Sequence, residues 1–213
     1  MMNAALKKLS DYCEAHSGWP SEVLYELERE TNLKTLAPQM LSGKLQGQLF
    51  AMISKMVRPR LILEIGTFTG YAAICLAQGL AEGGVLHTIE ANRELEYIIR
   101  KYILKANLEE KIHLHIGRAQ AVLPHLELSD IDLAFIDAGK MDYDFYYEWV
   151  MERLRSGGFI IADNVLWSGK VILSHHDKDT DTIHRFNEKI SKDERVETLM
   201  LPLRDGLLLV RKK

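Results

Sequence analysis

Cysteine is scarce in this chain of 213 residues, which has only Cys13 and Cys75. The two lie far apart, and neither has a second cysteine at metal-ligand spacing, which argues against a disulfide framework and against a cysteine zinc site. The chain also lacks an apolar run of about 18 residues and a charged-then-apolar leader, so neither a membrane span nor a signal peptide is predicted. We therefore expect a cytoplasmic protein with no membrane partner.

An excess of charge of one sign is also lacking. The formal net charge is -3, which argues against a strongly basic nucleic-acid-binding protein and leaves only a local patch open. Four basic residues with near-helical spacing fit a solvated helix face better than a nucleic-acid track. They are Arg93, Arg100, Lys101 and Lys105. The length suits one domain over residues 1–213, with a helical N-terminal part at 1–58 and a sheet core at 59–213.

Strand-like and helix-like segments alternate along the chain. Helices are predicted at residues 3–16, 21–32 and 43–56. Strands are predicted at residues 61–65, 85–89, 112–116, 131–136, 159–163, 196–201 and 207–210. Alternation of this kind predicts an α/β fold with a doubly wound, mostly parallel sheet. Only residues 202–206 separate the last two strands, too few for a crossover helix, so these strands should form an antiparallel hairpin at the sheet edge.

The first predicted strand ends in a glycine turn that indicates ligand binding. Gly66 and Gly70 bracket this turn, where glycine permits a positive φ and a close approach by a ligand. A dinucleotide fingerprint needs glycine where this chain has Phe68, so NAD or FAD is the weaker interpretation. With Glu64 two residues before the first glycine, the turn instead resembles the first motif of S-adenosylmethionine (SAM)-dependent methyltransferases. The alternative is an ordinary strand-turn-helix joint that binds nothing.

Further polar residues follow the other predicted strands, where loops of a doubly wound sheet line a crevice. Glu90 follows the second strand and could accept both ribose hydroxyls of a nucleoside, or it could be a solvated acid at a helix start. After the third strand, the turn at Gly117 could let an adenine edge meet backbone amides and the Gln120 side chain. An ordinary strand-to-helix loop is the alternative there.

Asp137, Asp163 and Asn164 follow the fourth and fifth predicted strands. Two carboxylates and an amide oxygen form an oxygen-only ligand set, which suits magnesium. Lys140 lies one helical turn beyond Asp137 and could act as a proton acceptor at the same opening. Each acid taken singly could also be a helix cap.

Several segments together resemble the cation-dependent O-methyltransferases, the family of catechol and caffeoyl-CoA O-methyltransferases. The segments are LEIGTFTGYAA, TIEANREL, FIDAGKMDY, GGFIIADNVLWSGKV and LPLRDGLLLV, within residues 35–213. The resemblance implies a Rossmann-like SAM-dependent methyltransferase fold with a seven-stranded sheet, SAM as cofactor, a divalent cation such as Mg²⁺, and a homodimer.

The resemblance also implies roles for individual residues. The cofactor site would comprise Met40, Glu64, Gly66, Phe68, Gly70, Tyr71, Glu90, Ala119, Gln120 and Asp137. The metal ligands would be Asp137, Asp163 and Asn164, the general base Lys140, and the aromatic wall of the acceptor pocket Trp167. Three positions depart from the family pattern: Ala72 replaces a serine, Arg204 replaces the first glycine of a Gly-Asp-Gly, and Arg118 stands where an acid often follows the glycine.

The function predicted from these residues is metal-dependent methyl transfer from SAM to a hydroxyl of a small catechol-type diphenol. One alternative keeps the chemistry but places it on a hydroxylated uridine of tRNA. Another is a non-catalytic nucleotide-binding module, against which the complete ligand set and Lys140 argue. The acids at Asp177, Asp179 and Asp181 should repel the phosphorylated tail of a CoA ester, which favours a small phenolic substrate.

Overall fold

The computed structural model describes residues 4–18 and 21–213. The helices are α1 Ala4–Ala15, α2 Glu22–Lys34, α3 Gly43–Val57, α4 Tyr71–Ala77, α5 Glu96–Lys105, α6 Ala119–Val122, α7 Tyr143–Arg153 and α8 Lys178–Ser191. The strands are β1 Leu61–Ile65, β2 Val85–Glu90, β3 Ile112–Ile116, β4 Ile131–Ile136, β5 Leu154–Asp163, β6 Val196–Leu201 and β7 Leu207–Lys212. The first residue of the helix predicted at 3–16 lies outside the described residues.

Within the described residues, seven strands form one sheet in the order β3-β2-β1-β4-β5-β7-β6. The first five strands pair in parallel, and β7 runs antiparallel to both β5 and β6. The predicted α/β fold, with its mostly parallel sheet and its C-terminal hairpin, is therefore confirmed. The strand order reverses between β1 and β4, whose carboxyl ends open a crevice at the point where doubly wound folds bind ligands.

The start of β5 differs from the prediction. This strand begins at Leu154, five residues before the predicted start at Phe159, and it includes the glycine pair at 157 and 158. Leu154 pairs with Ile131, and a register shift follows before Leu133 pairs with Phe159. The sheet accommodates the glycines as a bulge, which periodicity in one segment cannot reveal because a bulge depends on the partner strand.

Helices cover both faces of the sheet. On β1, Leu63 and Ile65 face a core shared with α7 and α8. Ile62 faces the other core, shared with helices α2 to α5. Burial on both faces explains why the parallel strands have continuous apolar runs. No helix in the described part of the chain is long and apolar enough to cross a membrane.

Three histidines cluster near the β3 edge of the sheet. His87 is opposite His113 in the β2–β3 register, and its Nδ1 lies 2.9 Å from Nε2 of His115. Burial, with the neighbouring imidazoles adding, lowers the pKa of His87 to about 4 and also lowers the pKa of His115. In the folded protein these two histidines bind protons less readily than they do in the unfolded chain. The free energy of unfolding therefore depends on pH.

We expect His87→Val to reduce the loss of thermal stability between about pH 7 and about pH 5. The unfolded histidine titrates near pH 6.5, whereas folded His87 stays neutral until about pH 4, so the free energy of unfolding falls as the pH falls through this window. Calorimetry at pH 5 should show the variant recovering about 2 to 4 °C of that loss. The exposed His175, changed to alanine, is the control, and equal acid sensitivity of all three proteins would contradict the prediction.

Candidate active site

The cleft lies over the carboxyl ends of β1 and β4. The Asp137 amide donates to the carbonyl of Ile65 at 2.8 Å, which holds the two strand ends side by side. The residues that line the cleft are Met40, Leu41, Ser42, Gly66, Thr67, Phe68, Tyr71, Ala72, Phe135 and Asp137. The structure thus brings together five of the cofactor-site residues predicted from the sequence, namely Met40, Gly66, Phe68, Tyr71 and Asp137.

Gly66 is required by a neighbouring strand end as much as by any ligand. Its φ is +100°, and an added Cβ would lie 2.1 Å from the carbonyl oxygen of Asp137. Any side chain would push β4 away from β1 and open the base of the cleft. The turn pattern predicted a need for glycine at this position, and the structural cause is the approach of another strand.

Glu90 ties the glycine turn to the end of β2. Its two carboxylate oxygens accept hydrogen bonds from the amides of Phe68 and Asn92, each at 2.7 Å. The side chain is buried, and burial raises its pKa. Because each carboxylate oxygen has more than one lone pair, Glu90 can still accept ribose hydroxyls in the predicted way.

Glu64 lies beneath the cleft rather than on its wall. It is 0% exposed, its Oε2 accepts a hydrogen bond from Thr88, and its Oε1 has no partner among the described residues. Burial raises the pKa of Glu64 to about 8, with the charges of Asp137 and Glu90 adding to the effect. Glu64 is therefore not among the residues that line the cleft, and its contact with the cofactor stays a prediction.

The other predicted cofactor residues lie around the cleft but do not line it. Gly70 is buried and caps α4 with a φ of +92°. Ala119 is buried at the start of α6, whereas Gln120 is exposed. Their contacts with a bound nucleoside stay a prediction.

The predicted metal ligands lie at the ends of two paired strands. Burial raises the pKa of Asp137 to about 6, Lys140 opposes this shift, and the charge of Asp163 adds to it. Across residues 4–18 and 21–213, no three His, Cys, Asp or Glu side chains cluster as a metal site; the predicted set has two carboxylates and the Asn164 amide. The donor set still fits a divalent cation, because oxygen ligands suit it and its charge would relieve the repulsion between the carboxylates.

Lys140 is fixed at the mouth of this site. Its Nζ donates to Asp137 Oδ1 at 3.0 Å and to the Tyr143 hydroxyl at 2.6 Å. The Tyr143 hydroxyl also lies 3.1 Å and 3.0 Å from the carbonyls of Ile136 and Asp163, so it is anchored to both strand ends. The sequence did not identify Tyr143 as a site residue, because nothing in a tyrosine-rich helix separates one anchored hydroxyl from its neighbours.

Gln46 is a second polar residue that the sequence did not identify. It lies on α3, is 1% exposed, and its Nε2 donates to Asp163 Oδ2 at 2.6 Å. The other oxygen of Asp163 accepts the Asn164 amide at 2.6 Å. These bonds fix the Asp163 carboxylate from two sides. No local signal could have linked Gln46 to a residue 117 positions away.

Trp167 lies in a strained loop directly after the predicted metal ligands. Asn164, Trp167 and Ser168 all have a positive φ, at 57°, 48° and 55°. Left-handed backbone at non-glycine residues is uncommon and clusters at functional sites. Trp167 is partly buried against the core that contains α7 and α8, which leaves part of the ring for the predicted acceptor wall.

Known proteins are similar to this chain in both sequence and fold. The family model described as O-methyltransferase matches residues 14–213. Probable caffeoyl-CoA O-methyltransferase 3 of Dictyostelium discoideum is 31% identical, over 91% of this chain and 86% of its own length. Catechol O-methyltransferase domain-containing protein 1 of Mus musculus is 36% identical, over 78% of this chain and 66% of its own length.

A solved structure extends the likeness to the whole fold. The O-methyltransferase from Bacillus cereus, in complex with S-adenosylhomocysteine (SAH), has a TM-score of 0.89 and 30% identity, and the match covers 97% of each chain. These findings confirm the resemblance read from the motifs and exclude the non-catalytic module. The chain belongs to the O-methyltransferase family, and the protein is a SAM-dependent O-methyltransferase.

Proposed function

We propose that the protein transfers the methyl group of SAM to one hydroxyl of a small catechol-type diphenol, with the help of a divalent cation. The observation that carries this proposal is the joint placement of Asp137, Asp163 and Lys140 at one end of the sheet, beside the cleft at Gly66. A carboxylate pair with a lysine at its mouth can hold an oxygen-rich acceptor against a methyl donor.

Different residues would hold the methyl donor, hold the cation and accept the proton. Gly66, Phe68 and Tyr71 line the side of the cleft that would hold the methyl donor, and Glu90 fixes that turn. A divalent cation held by Asp137, Asp163 and Asn164 would supply positive charge that favours the ionised form of the acceptor hydroxyl. Lys140 Nζ would take the hydroxyl proton.

The acceptor oxygen would then attack the methyl carbon while the carbon–sulfur bond breaks, which would leave SAH. A cationic sulfonium and an anionic oxygen neutralise each other in this step, so the protein contributes chiefly by positioning both groups and by excluding water. Trp167 would provide an apolar wall for the aromatic ring of the acceptor.

The size of the acceptor is less firmly constrained than the acidic segment suggested. Asp177 caps α8 and pairs with Lys170 at 2.9 Å, and Asp181 pairs with Arg185 at 3.1 Å. Two of the three acids are thus neutralised, which weakens their repulsion of a CoA tail. Repulsion of a CoA tail, and with it the preference for small diphenols, now depends mainly on the charge of Asp179. A single exposed charge contributes only a modest electrostatic free energy.

The structure reduces the case for a tRNA acceptor. All four residues of the basic set pair with acids: Arg93 and Arg100 with Glu96, Lys101 with Glu30, and Lys105 with Glu26. Paired charges on a helix face offer little to a phosphate backbone. We therefore keep tRNA only as an arm of the test.

We expect labelled SAM with Mg²⁺ to methylate protocatechuate with a kcat/KM at least about 10²-fold above that for para-hydroxybenzoate. The monophenol lacks the second oxygen that the cation site would hold, and a site built for a substrate hydroxyl rejects an analogue without it. Caffeoyl-CoA and bulk tRNA are the parallel arms. Equal efficiency on the monophenol would contradict the proposed chelation, and tRNA as the sole acceptor would replace the diphenol.

A further inference from the structure

The turn between β6 and β7 contains an arginine in a backbone conformation that favours glycine. Arg204 has a φ of +51°, and it stands where the family pattern has glycine. A non-glycine residue keeps a left-handed backbone conformation only when contacts with its surroundings compensate for the strain. The contacts of the Arg204 side chain therefore indicate a role.

The Arg204 guanidinium donates hydrogen bonds to the segment Gln39–Ser42, which precedes α3. Nη1 donates to the carbonyls of Leu41 and Ser42, and Nη2 donates to the carbonyl of Gln39 at 3.1 Å. Three carbonyls on one short segment match the planar fork of a guanidinium, which offers several donors in a fixed geometry. The bonds span more than 160 residues of sequence, so they fasten two distant parts of the chain.

The segment Gln39–Ser42 forms one wall of the cofactor cleft. Met40, Leu41 and Ser42 line that cleft opposite the glycine turn that carries Gly66 and Phe68. Of the two apolar residues in Gln39–Ser42, Leu41 is buried in the core shared with α2 to α5, and Met40 is 57% exposed. A wall anchored by a single buried apolar side chain depends on polar contacts for part of its local stability.

The same turn also holds the acceptor side of the site. The Asp205 carboxylate accepts a hydrogen bond from the Ser168 amide, and the Asp205 carbonyl accepts the Leu166 amide at 2.9 Å. Residues 204 and 205 therefore fasten two walls, one beside the cofactor cleft and one that carries Trp167.

We propose that Arg204 is a positioning residue that latches the Gln39–Ser42 segment over the cofactor cleft and so sets the affinity for SAM. The latch determines how often the wall is in its binding-competent position, and the apparent affinity falls in proportion to that fraction. The inference rests on the SAM-dependent assignment and is independent of the identity of the acceptor and of the cation.

Two variants separate the latch from its alternatives. Arg204→Gly removes the side chain and suits the positive φ, so the turn itself is preserved. Arg204→Lys keeps the positive charge, which lies close enough to lower the pKa of Asp137, but its donors all sit on one nitrogen, whereas the guanidinium contacts use both Nη1 and Nη2. Arg185→Ala, which removes an exposed surface arginine, is the matched control.

Calorimetric titration with SAH should show Kd rising about 10-fold in both Arg204 variants and unchanged in the control. KM for SAM should rise in parallel, whereas kcat at saturating SAM should stay within about twofold, because the latch acts before the chemical step. Hydrogen exchange of the free proteins should be faster at residues 37–43 in both variants. The exchange measurement still tests the latch if Arg204→Gly loses affinity through a general loss of folding, because exchange would then rise throughout the sheet.

An Arg204→Lys variant that binds SAH as the unaltered protein does would show that charge alone matters, and would overturn the latch. Unchanged exchange at residues 37–43 in both variants would overturn it as well. If the unaltered protein binds no SAH, the cofactor assignment fails, and the exchange readout then decides about the latch separately.

Discussion

Asp163→Ala should lower kcat by about 10³-fold or more while SAH binding is largely kept. The carboxylate lies at the predicted cation site, and loss of several kcal/mol of charge stabilisation in the transition state corresponds to an effect of this size. Asp163→Asn is the sharper variant, because it removes the negative charge and keeps the shape of the side chain. The Oε1 of Gln46, which has no partner in the described part of the chain, could accept a hydrogen bond from the new amide. The partly exposed Asp181, changed to alanine, is the control for the loss of an acid.

Chelation of the unaltered protein gives an independent readout. EDTA should abolish turnover, and Mg²⁺ or Mn²⁺ should restore it, while Mn²⁺ titration followed by paramagnetic resonance should detect a site that Asp163→Asn lacks. Full turnover in EDTA, or undiminished Mn²⁺ binding by the variant, would remove the cation from the proposal.

Lys140→Met should lower kcat by about 10²-fold to 10⁴-fold, the contribution usual for a general base. The side chain is 12% exposed and is held between Asp137 and Tyr143, so it is placed to receive a proton at the mouth of the site. Methionine preserves the stem and removes the amine.

Lys140→Arg separates proton transfer from charge. A guanidinium can still pair with Asp137 but does not release its proton, so a base role predicts that this variant is also slow. Lys170→Met, which removes a lysine that pairs with Asp177 outside the site, should remain near normal. A fully active Lys140→Arg would assign Lys140 to electrostatic support and the proton to another group.

The strands of the sheet follow from features that are local in sequence. Apolar runs such as Leu61–Ile65 predict buried strands because a parallel sheet covered on both faces needs apolar residues at every position. Chemistry-bearing residues follow those runs because parallel strands end at one edge. Asp137 and Asp163 could therefore be placed side by side before any coordinates were known.

Bulges and long-range hydrogen bonds escaped prediction because their cause lies in another part of the chain. The early start of β5 at Leu154 depends on its pairing with β4. Gln46 reaches Asp163 from a helix far away in sequence, and Tyr143 differs from its neighbours only in the carbonyls that surround its hydroxyl. Periodicity carries no information about such partners.

The sequence by itself determined the fold class and the family, because each follows from strand periodicity or from short motifs, and it predicted the residues that would carry the chemistry. Only the tertiary structure decided what each residue touches. Glu64 is buried beneath the cleft, and Gly66 is required because the end of β4 at Asp137 approaches it closely. Arg204, which departs from the family pattern, donates hydrogen bonds to the wall of the cofactor cleft. The physical reason is that burial, strand register and hydrogen-bond partners arise between segments that meet only when the chain has folded.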